Sequence, residues 1–380
     1  MNRMWRKAWW RERFELARAG SSNNLQSMEG LRGFAVFLVF LVHFVSLSAP
    51  WLSESSALFP IANAVHSIGN AGVDLFFVLS GYLIYGSLIE RKQVFLPYLK
   101  RRLQRIYPAF LVVLAAYLAL SFLFPAESKL PEDSGEAALY VAENLLLLPG
   151  LLPIVPIITV AWSLSYEFFY YLVTPVVIGM LALRDRKVGQ RIGLFAFLGV
   201  TMLLIGAVYG GHVRLTMFIA GILLFEICRH RLADLRSPWL AAAALVLGLL
   251  ATLLPITGSA GQALETAILC LSFFLLGLHC FNRRSGWLVR AFCWLPLRWL
   301  GNMSYSYYLI HGLTLKAGFM VFAKLVAPAA YGAWLVLELL PVMFVLTLIP
   351  AAALFLIIER PFSLAPATAK AQAAAAPSVA

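Results

Sequence analysis

The stretch GLRGFAVFLVFLVHF, residues 30–44, places a guanidinium and an imidazole in an otherwise apolar run. Arg32 and His43 are eleven residues apart, and at 100° per residue eleven steps return to within about 20° of the same helix face. The two side chains therefore share one stripe of a helix, about 16 Å apart along its axis. Polar groups inside a bilayer are costly and usually functional. We therefore expect the chemistry at His43, with the other intramembrane polar residues around it.

The whole chain has the composition of a polytopic membrane protein. Of its 380 residues, 61% are hydrophobic and only 13% are charged. Apolar runs of about twenty residues recur, and each is long enough to cross a hydrocarbon core of ~30 Å. The sequence therefore predicts an all-α bundle of ten transmembrane helices, near residues 31–49, 71–90, 106–124, 158–183, 191–210, 213–229, 238–255, 263–281, 301–326 and 333–358.

The net charge of +12 follows this predicted topology. With the N-terminus in the cytoplasm, most of the 30 Lys and Arg residues fall in segments on the cytoplasmic side. This bias is the positive-inside rule, and it places both termini in the cytoplasm. The charge therefore indicates orientation in a lipid bilayer and argues against a nucleic-acid partner.

Segments outside the spans have compositions of their own. Residues 1–28 are basic and aromatic, which is typical of an interfacial anchor on the cytoplasmic leaflet. A cleaved signal peptide is the alternative, although cleavage after SLSAP would remove both Arg32 and His43. Residues 29–363 form the predicted membrane domain, and the Ala-rich tail 364–380 is predicted to be disordered.

The one long outer loop, residues 125–157, is acidic at first and then apolar but broken by prolines. An eleventh span here would reverse every later segment and place the basic cluster Arg184–Arg191 outside. A re-entrant or interfacial segment fits better, since irregular backbone at membrane depth needs protein around it.

Two acidic residues fall inside predicted spans. Asp74 lies close to the depth of His43, where a carboxylate would fix the tautomer of the imidazole and favour a base. The alternative for Asp74 is an isolated acid exposed to water near a helix end. Glu167 shares a helix face with Ser163, Tyr170 and Tyr171, and Arg32 or His43 are its natural partners. A structural hydrogen-bond hub between helices is the alternative for Glu167.

The segment GNMSYSYYLIH, residues 301–311, opens the ninth predicted span. His311 shares a face with Ser304, Tyr307 and Tyr308, and a polar stripe on an inner helix indicates a water-containing cavity. A satisfied packing histidine is the alternative. The remaining polar candidates for contacting substrate or holding helices together are Ser80, Ser163, Tyr305 and Glu359.

Basic residues also stand where the third predicted span meets the cytoplasm. Arg101, Arg102 and Arg105 are suited to neutralise the phosphates of a cofactor such as coenzyme A. Topology determinants that face lipid headgroups are an equal alternative for each of them. The sequence contains no zinc-binding pattern, Walker loop, Rossmann glycine fingerprint or GxSxG elbow. We therefore expect no metal.

Taken in order, these motifs resemble the acyltransferase 3 family of membrane O-acyltransferases. Arg32 and His43 resemble its Arg-x10-His motif, and its further signatures are similar to GVDLFFVLSGYLI, RRLQRIYP, WSLSYEFFYY, GNMSYSYYLIH and IIERP, over residues 25–363. Members have ten core spans and move acyl groups, commonly acetyl from cytoplasmic acyl-CoA, onto sugar hydroxyls of surface glycans or lipid-linked precursors. The resemblance thus implies a bacterial cytoplasmic (inner) membrane enzyme with acetyl-CoA or another acyl-CoA as co-substrate. Lipopolysaccharide, another polysaccharide or an undecaprenyl-linked sugar is the implied acceptor.

The resemblance also implies roles for individual residues. Catalytic roles fall to His43, Asp74 and Glu167, and cofactor-binding roles to Arg32, Arg102, Arg105 and Tyr107; contacts to substrate or structural roles fall to Ser80, Ser163, Tyr305, His311 and Glu359. In the expected mechanism His43, oriented by Asp74, deprotonates a sugar hydroxyl that attacks the thioester carbonyl. A transient acyl-enzyme on His43 or a serine is the variant scheme.

Two other classes of function fit parts of the pattern. A transporter or lipid flippase would use the buried His, Asp and Glu residues as a proton relay. It predicts substrate movement without consumption of acyl-CoA, whereas the signature helices show no inverted repeat. A purely structural scaffold would leave charged groups in lipid for no gain. The acceptor sugar, the acyl group and the oligomeric state are not determined by the sequence.

Overall fold

A computed structural model describes residues 3–16, 23–52, 54–327 and 334–364. These residues form helices and connecting loops, and no strand occurs among them. The helices are α1 (Arg3–Phe14), α2 (Asn23–Ser48), α3 (Leu58–Ile89), α4 (Phe95–Leu123), α5 (Ser134–Leu145), α6 (Trp162–Met180), α7 (Val188–Tyr209), α8 (Thr216–His230), α9 (Pro238–Ala251), α10 (Gly258–Asn282), α11 (Trp287–Phe292), α12 (Leu295–Asn302), α13 (Ser304–Leu325), α14 (Leu335–Leu354) and a π-helix (Phe355–Leu364).

The prediction of an all-helical membrane protein is confirmed, and every predicted span falls on a helix. By length and composition, six helical segments are suited to cross a membrane: those that contain α2, α3, α4, α7, α10 and α14. The helices α6, α8, α9 and α13 are shorter or more polar. The count of ten spans and the cytoplasmic location of both termini therefore stay predictions. Two boundaries differ clearly: α3 begins at Leu58, thirteen residues before the predicted start at residue 71, and α4 begins at Phe95, eleven residues before the predicted start at residue 106.

Helix α2 packs along α3, α12 and α13. Its contacts with α11 and α12 depend on glycine, because a Cβ on Gly30 would lie 1.6 Å from the carbonyl oxygen of Phe292, the last residue of α11. A Cβ on Gly301 would lie 1.7 Å from the carbonyl oxygen of Glu29. Backbones that approach this closely exclude any side chain, as is usual for packed membrane helices. Gly30 of α2 and Gly301 of α12 thus allow α2 to pack directly against α11 and α12.

The outer loop folds inward, as a re-entrant segment does. The Tyr107 hydroxyl donates to the carbonyl of Leu145 at 2.9 Å, and Tyr107 lies about 24 Å along α4 from its outer end at 1.5 Å per residue. Lys129 fixes the later part of the loop, because its Nζ donates to the carbonyl of Pro156 at 2.8 Å. Nearby, the hydrogen bond and charge of Lys316 lower the pKa of the Glu127 carboxyl. The loop is thus tied to α4 and to its own later residues before α6 begins.

The N-terminal segment contacts the bundle directly. Phe14 of α1 is buried, with its ring 5.7 Å from that of Phe355 and 6.0 Å from that of Trp299. Asn302 donates to the carbonyl of Phe14 at 3.0 Å. The helix α2 starts at Asn23 and so runs across the predicted boundary at residue 28. The predicted disordered tail, beyond Leu364, lies outside the described residues.

The close approach of α2 and α12 gives a stability prediction. Replacing Gly301→Ala places a methyl group against a backbone carbonyl that cannot rotate away, and we expect a loss of about 1–3 kcal/mol. Thermal denaturation of the detergent-purified protein, followed by size-exclusion chromatography, measures it. The control is Gly312→Ala in α13, where a Cβ meets nothing within 4 Å. Equal melting temperatures for the two variants would contradict the packing described.

Candidate active site

A cavity of about 130 Å³ lies within the bundle, bordered by α2, α3, α4, α6 and α13. Much of its wall is aromatic or aliphatic, and its polar groups are guanidinium, carboxylate and hydroxyl. Seven of the predicted site residues line it, namely Arg32, Ser80, Arg102, Arg105, Ser163, Glu167 and Tyr305. Residues far apart in sequence are thereby gathered around one small space.

Arg32 links α2 to the start of α13. Its Nε and Nη2 atoms donate to the Ser304 hydroxyl at 3.2 and 2.8 Å. A guanidinium presents five N–H donors in a fixed plane, so a hydroxyl that accepts from two of them holds its orientation. The stripe predicted from the sequence therefore begins at a fixed charge on the wall of the cavity.

Arg102 lies between two tyrosine rings. The distance from its guanidinium carbon to the ring centroid is 5.2 Å for Tyr98 and 5.1 Å for Tyr171, which is cation–π geometry. Its Nη2 also donates to the Ser87 hydroxyl at 2.9 Å. The Tyr171 hydroxyl in turn donates to the Glu167 carboxylate. The predicted partners of Glu167 were Arg32 or His43, whereas the structure gives a tyrosine four residues along the same helix.

Arg105 is held by the buried carboxylate of Glu359. Its Nη1 pairs with Oε1 of Glu359, while Oε2 accepts from the Ser306 backbone N–H at 3.0 Å and from its hydroxyl at 2.5 Å. The Glu359 side chain is fully buried and that of Arg105 is 23% exposed. Glu359 stands in the π-helix, a form that recurs at functional sites. The carboxylate thus joins three elements: α4, α13 and the last helical segment.

His43 and His311 lie next to each other, and neither is among the residues that line this cavity. Their ring centroids are 5.0 Å apart in an edge-to-face arrangement. Nδ1 of His311 lies 3.0 and 2.9 Å from the carbonyl oxygens of Tyr307 and Tyr308. Since carbonyls only accept, this nitrogen carries the proton and Nε2 presents a lone pair. That buried Nε2 has no hydrogen-bond partner within the described part of the chain. The Tyr308 ring, 6.1 Å from that of His311, also lines the cavity.

The expected contact between Asp74 and His43 does not form. Asp74 instead pairs with Arg214, whose Nε lies 3.5 Å from Oδ1. Gly69 and Gly72 mark the face of α3 that meets α2, because a Cβ on either would contact α2 atoms at 2.5–2.6 Å. Asp74 follows Gly72 by two residues, which is a rotation of 200° about the axis of α3. Asp74 therefore points to the opposite side of this helix. His66, also on α3, lies close enough to His43 to interact with it electrostatically.

The other predicted residues divide between site and scaffold. The Ser163 hydroxyl lies 2.7 Å from that of Tyr308, and the Tyr305 hydroxyl donates to the carbonyl of Ile106. Tyr107 does not line the cavity, because its hydroxyl is bonded to the re-entrant loop. Arg214 was not predicted as a site residue. It is one of four basic residues that the predicted topology left out of the cytoplasmic segments, and this exception to the charge rule was its signal.

An apolar helix bundle that gathers charged and polar residues around an internal cavity is typical of a multi-pass membrane protein. The chain belongs to the acyltransferase 3 family, whose model, described as an acyltransferase domain, matches residues 25–358.

Three relatives show how far the similarity extends. O-acetyltransferase OatA of Staphylococcus aureus is 30% identical over 151 residues, which cover 36% of this chain and 25% of OatA. Acyltransferase MdmB of Streptomyces mycarofaciens is 35% identical over 115 residues, or 29% of each chain. An uncharacterized protein of Haemophilus influenzae is 33% identical over 128 residues, 30% of this chain and 52% of its own. The match thus spans about a quarter of OatA, and no solved structure matches the chain.

The ion pair of Arg105 and Glu359 gives a prediction about the site's framework. Glu359→Gln keeps the shape of the side chain but leaves the guanidinium without a counter-charge, and we expect a loss of about 2 kcal/mol. Unfolding in mixed micelles by increasing denaturing detergent measures it. The control is Glu90→Gln, which removes an exposed pair with Arg229 and should cost well under about 1 kcal/mol. A Glu359→Gln protein as stable as the control would contradict this role.

Proposed function

We propose that the protein is a membrane O-acyltransferase that transfers an acyl group, acetyl in the simplest case, from cytoplasmic acyl-CoA to a carbohydrate hydroxyl. The carbohydrate is a surface polysaccharide or a lipid-linked sugar at the bacterial cytoplasmic membrane. Family membership and the O-acetyltransferase name of one relative support this reaction. The observation that carries the proposal is the arginine-lined cavity whose wall includes Tyr308, because the Tyr308 ring lies 6.1 Å from that of His311, the neighbour of His43.

The donor is proposed to enter from the side of Arg102 and Arg105. With both termini in the cytoplasm, these residues lie near the cytoplasmic end of α4, where phosphates of coenzyme A arrive first. The cavity of about 130 Å³ is too narrow for a nucleotide but suits the extended pantetheine arm. Arginine binds phosphate through paired, charge-assisted hydrogen bonds. Arg32, further along the same cavity, is proposed to anchor the donor near its thioester.

The chemistry is proposed to use His43 as a general base. Its ring takes the proton from the acceptor hydroxyl while that oxygen bonds to the thioester carbonyl carbon. Collapse of the tetrahedral intermediate breaks the C–S bond, and the coenzyme A thiolate leaves with the proton that His43 returns. Hydroxyl or backbone donors at the cavity steady the intermediate oxyanion. His311, whose ring lies edge-to-face with that of His43, is proposed in place of Asp74 as the neighbour of the base.

Removing the base tests the proposal. His43→Ala should lower the rate of acyl transfer by about 10²–10⁴-fold, the usual contribution of general-base catalysis, without affecting folding. The measurement is release of free coenzyme A from acetyl-CoA by purified protein in lipid nanodiscs supplied with lipid-linked sugars. His230→Ala serves as the control, since that ring contacts Arg191 and Glu226 away from the cavity.

Two results would count against His43 as the base. Full activity of His43→Ala would remove it from the chemistry, and substrate movement without consumption of acetyl-CoA by the wild type would favour a transporter. Intact-mass analysis without acceptor would reveal an acyl-enzyme if the variant scheme holds.

The donor site gives a separate prediction. Arg102→Gln should raise KM for acetyl-CoA about tenfold, because one charged hydrogen bond to phosphate is lost. With S-acetylpantetheine, which lacks the nucleotide, the variant and the wild type should have the same KM. Arg101→Gln is the matched control, since this adjacent guanidinium is exposed, contacts Gln93 and lies outside the cavity. An equal change for both donors would refute phosphate recognition by Arg102.

A further inference from the structure

A second cavity, of about 440 Å³, lies where α3 and α10 meet the junction of α7 and α8. Its lining is mostly polar, in contrast to the first cavity, and none of its residues except Asp74 was predicted as a site residue. Carboxyl, amide, guanidinium and phenol groups all face it, from Asn70, Asp74, Tyr166, Arg214, Gln262 and Glu265.

Asp74 is the least satisfied group in this cavity. Its side chain is 1% exposed, and Oδ1 accepts no hydrogen bond from the residues that the structure describes. Arg214 lies 3.5 Å away, beyond good hydrogen-bond geometry, and its guanidinium also rests 5.8 Å above the Trp162 ring. A buried acceptor without a donor is costly, and such groups usually have a partner that the protein alone does not supply.

The chemistry of the lining selects one class of partner. Asp74 and Glu265 are set against the single guanidinium of Arg214, so the cavity offers no excess positive charge to an anion. Asn70 and Gln262 provide both donors and acceptors. Adjacent donors and acceptors of this kind match a chain of hydroxyl groups, which both give and receive hydrogen bonds.

The cavity shares a wall with the proposed active site. The ring centroids of Phe77 and Tyr166 are 5.6 Å apart in a stacked arrangement. Phe77 lines the first cavity, and Tyr166 lines the second, which we call the outer cavity. The Tyr166 hydroxyl lies 2.6 Å from Nδ1 of His212, which fixes this ring. On α3, Asn70 and Asp74 stand 100–140° around the helix from Gly69, which meets α2 one residue from His43. An occupant would therefore lie around α3 from His43 and be separated from the first cavity by Phe77 and Tyr166.

We infer that the outer cavity binds an uncharged sugar unit of the acceptor, away from the hydroxyl that reacts. The inference rests on the proposed function and extends it to recognition of the acceptor. Binding energy from a non-reacting part of a substrate holds the reacting hydroxyl in place. The cavity then accounts for the buried carboxylate of Asp74, which is too far around α3 to orient His43.

The test compares Glu265→Gln and Gln262→Ala with Glu132→Gln, an exposed glutamate in the outer loop. Saturation-transfer NMR on the full chain in nanodiscs measures binding of cellobiose, methyl glucoside and the anionic methyl glucuronide, independently of catalysis. We expect the two cavity variants to weaken binding of the uncharged sugars about tenfold, as for the loss of one hydrogen bond. Methyl glucuronide should bind more weakly than methyl glucoside to the wild type, and this difference should shrink in Glu265→Gln.

A kinetic arm separates this inference from the proposed function. Where wild type consumes acetyl-CoA with a sugar acceptor, Glu265→Gln should raise KM for the acceptor and leave KM for acetyl-CoA unchanged. Unchanged acceptor KM and unchanged sugar binding in both cavity variants would overturn the inference and leave the proposed function standing. Sugar binding that responds to the variants without any consumption of acetyl-CoA would support the cavity and refute the reaction. Absence of binding by all three sugars, or a preference for the glucuronide, would overturn the inference.

Discussion

A charge inside an apolar bundle needs a partner, because no bulk water is present to solvate it. This constraint determines how the middle of the protein is arranged. Arg105 is paired with Glu359, Arg102 lies between tyrosine rings, and Arg32 donates to Ser304. Each partnership joins different helices or fixes a side chain on the wall of one cavity. The helices that carry these groups are therefore held in one relative position by the groups themselves.

The contact of α2 with α13 shows how the framework places the chemistry. Arg32 meets Ser304 at one level and His43 meets His311 at another, so two polar contacts along parallel helices fix their register. Glycine contacts with α12 bring α2 close enough for both pairs to form. The result is a line from guanidinium to imidazole, with the cavity beside it. Packing of α13 against α2 thus places the polar face of α2 beside the cavity.

Helical periodicity was enough to predict much of this site. The eleven-residue spacing placed Arg32 and His43 on one face, and the signature segments supplied most of the residues that line the cavity. Depth alone misled the prediction for Asp74, because two residues at one depth still differ in their direction around a helix. The small residues Gly69 and Gly72 carried that information, since they mark the side of α3 that meets α2. The side of α3 on which Asp74 lies can be predicted only when the position of Asp74 is compared with that of Gly69 and Gly72.

The central claim is that the arginine-lined cavity delivers an acyl thioester to His43. The most direct measurement is a cryo-electron microscopy structure of the full chain in nanodiscs with a non-hydrolysable ketone analogue of acetyl-CoA. The account predicts the pantetheine arm between Arg102 and Arg32, with the ketone carbon facing His43. An analogue bound outside this cavity, or one whose carbonyl is separated from His43 by Tyr308, would contradict the account.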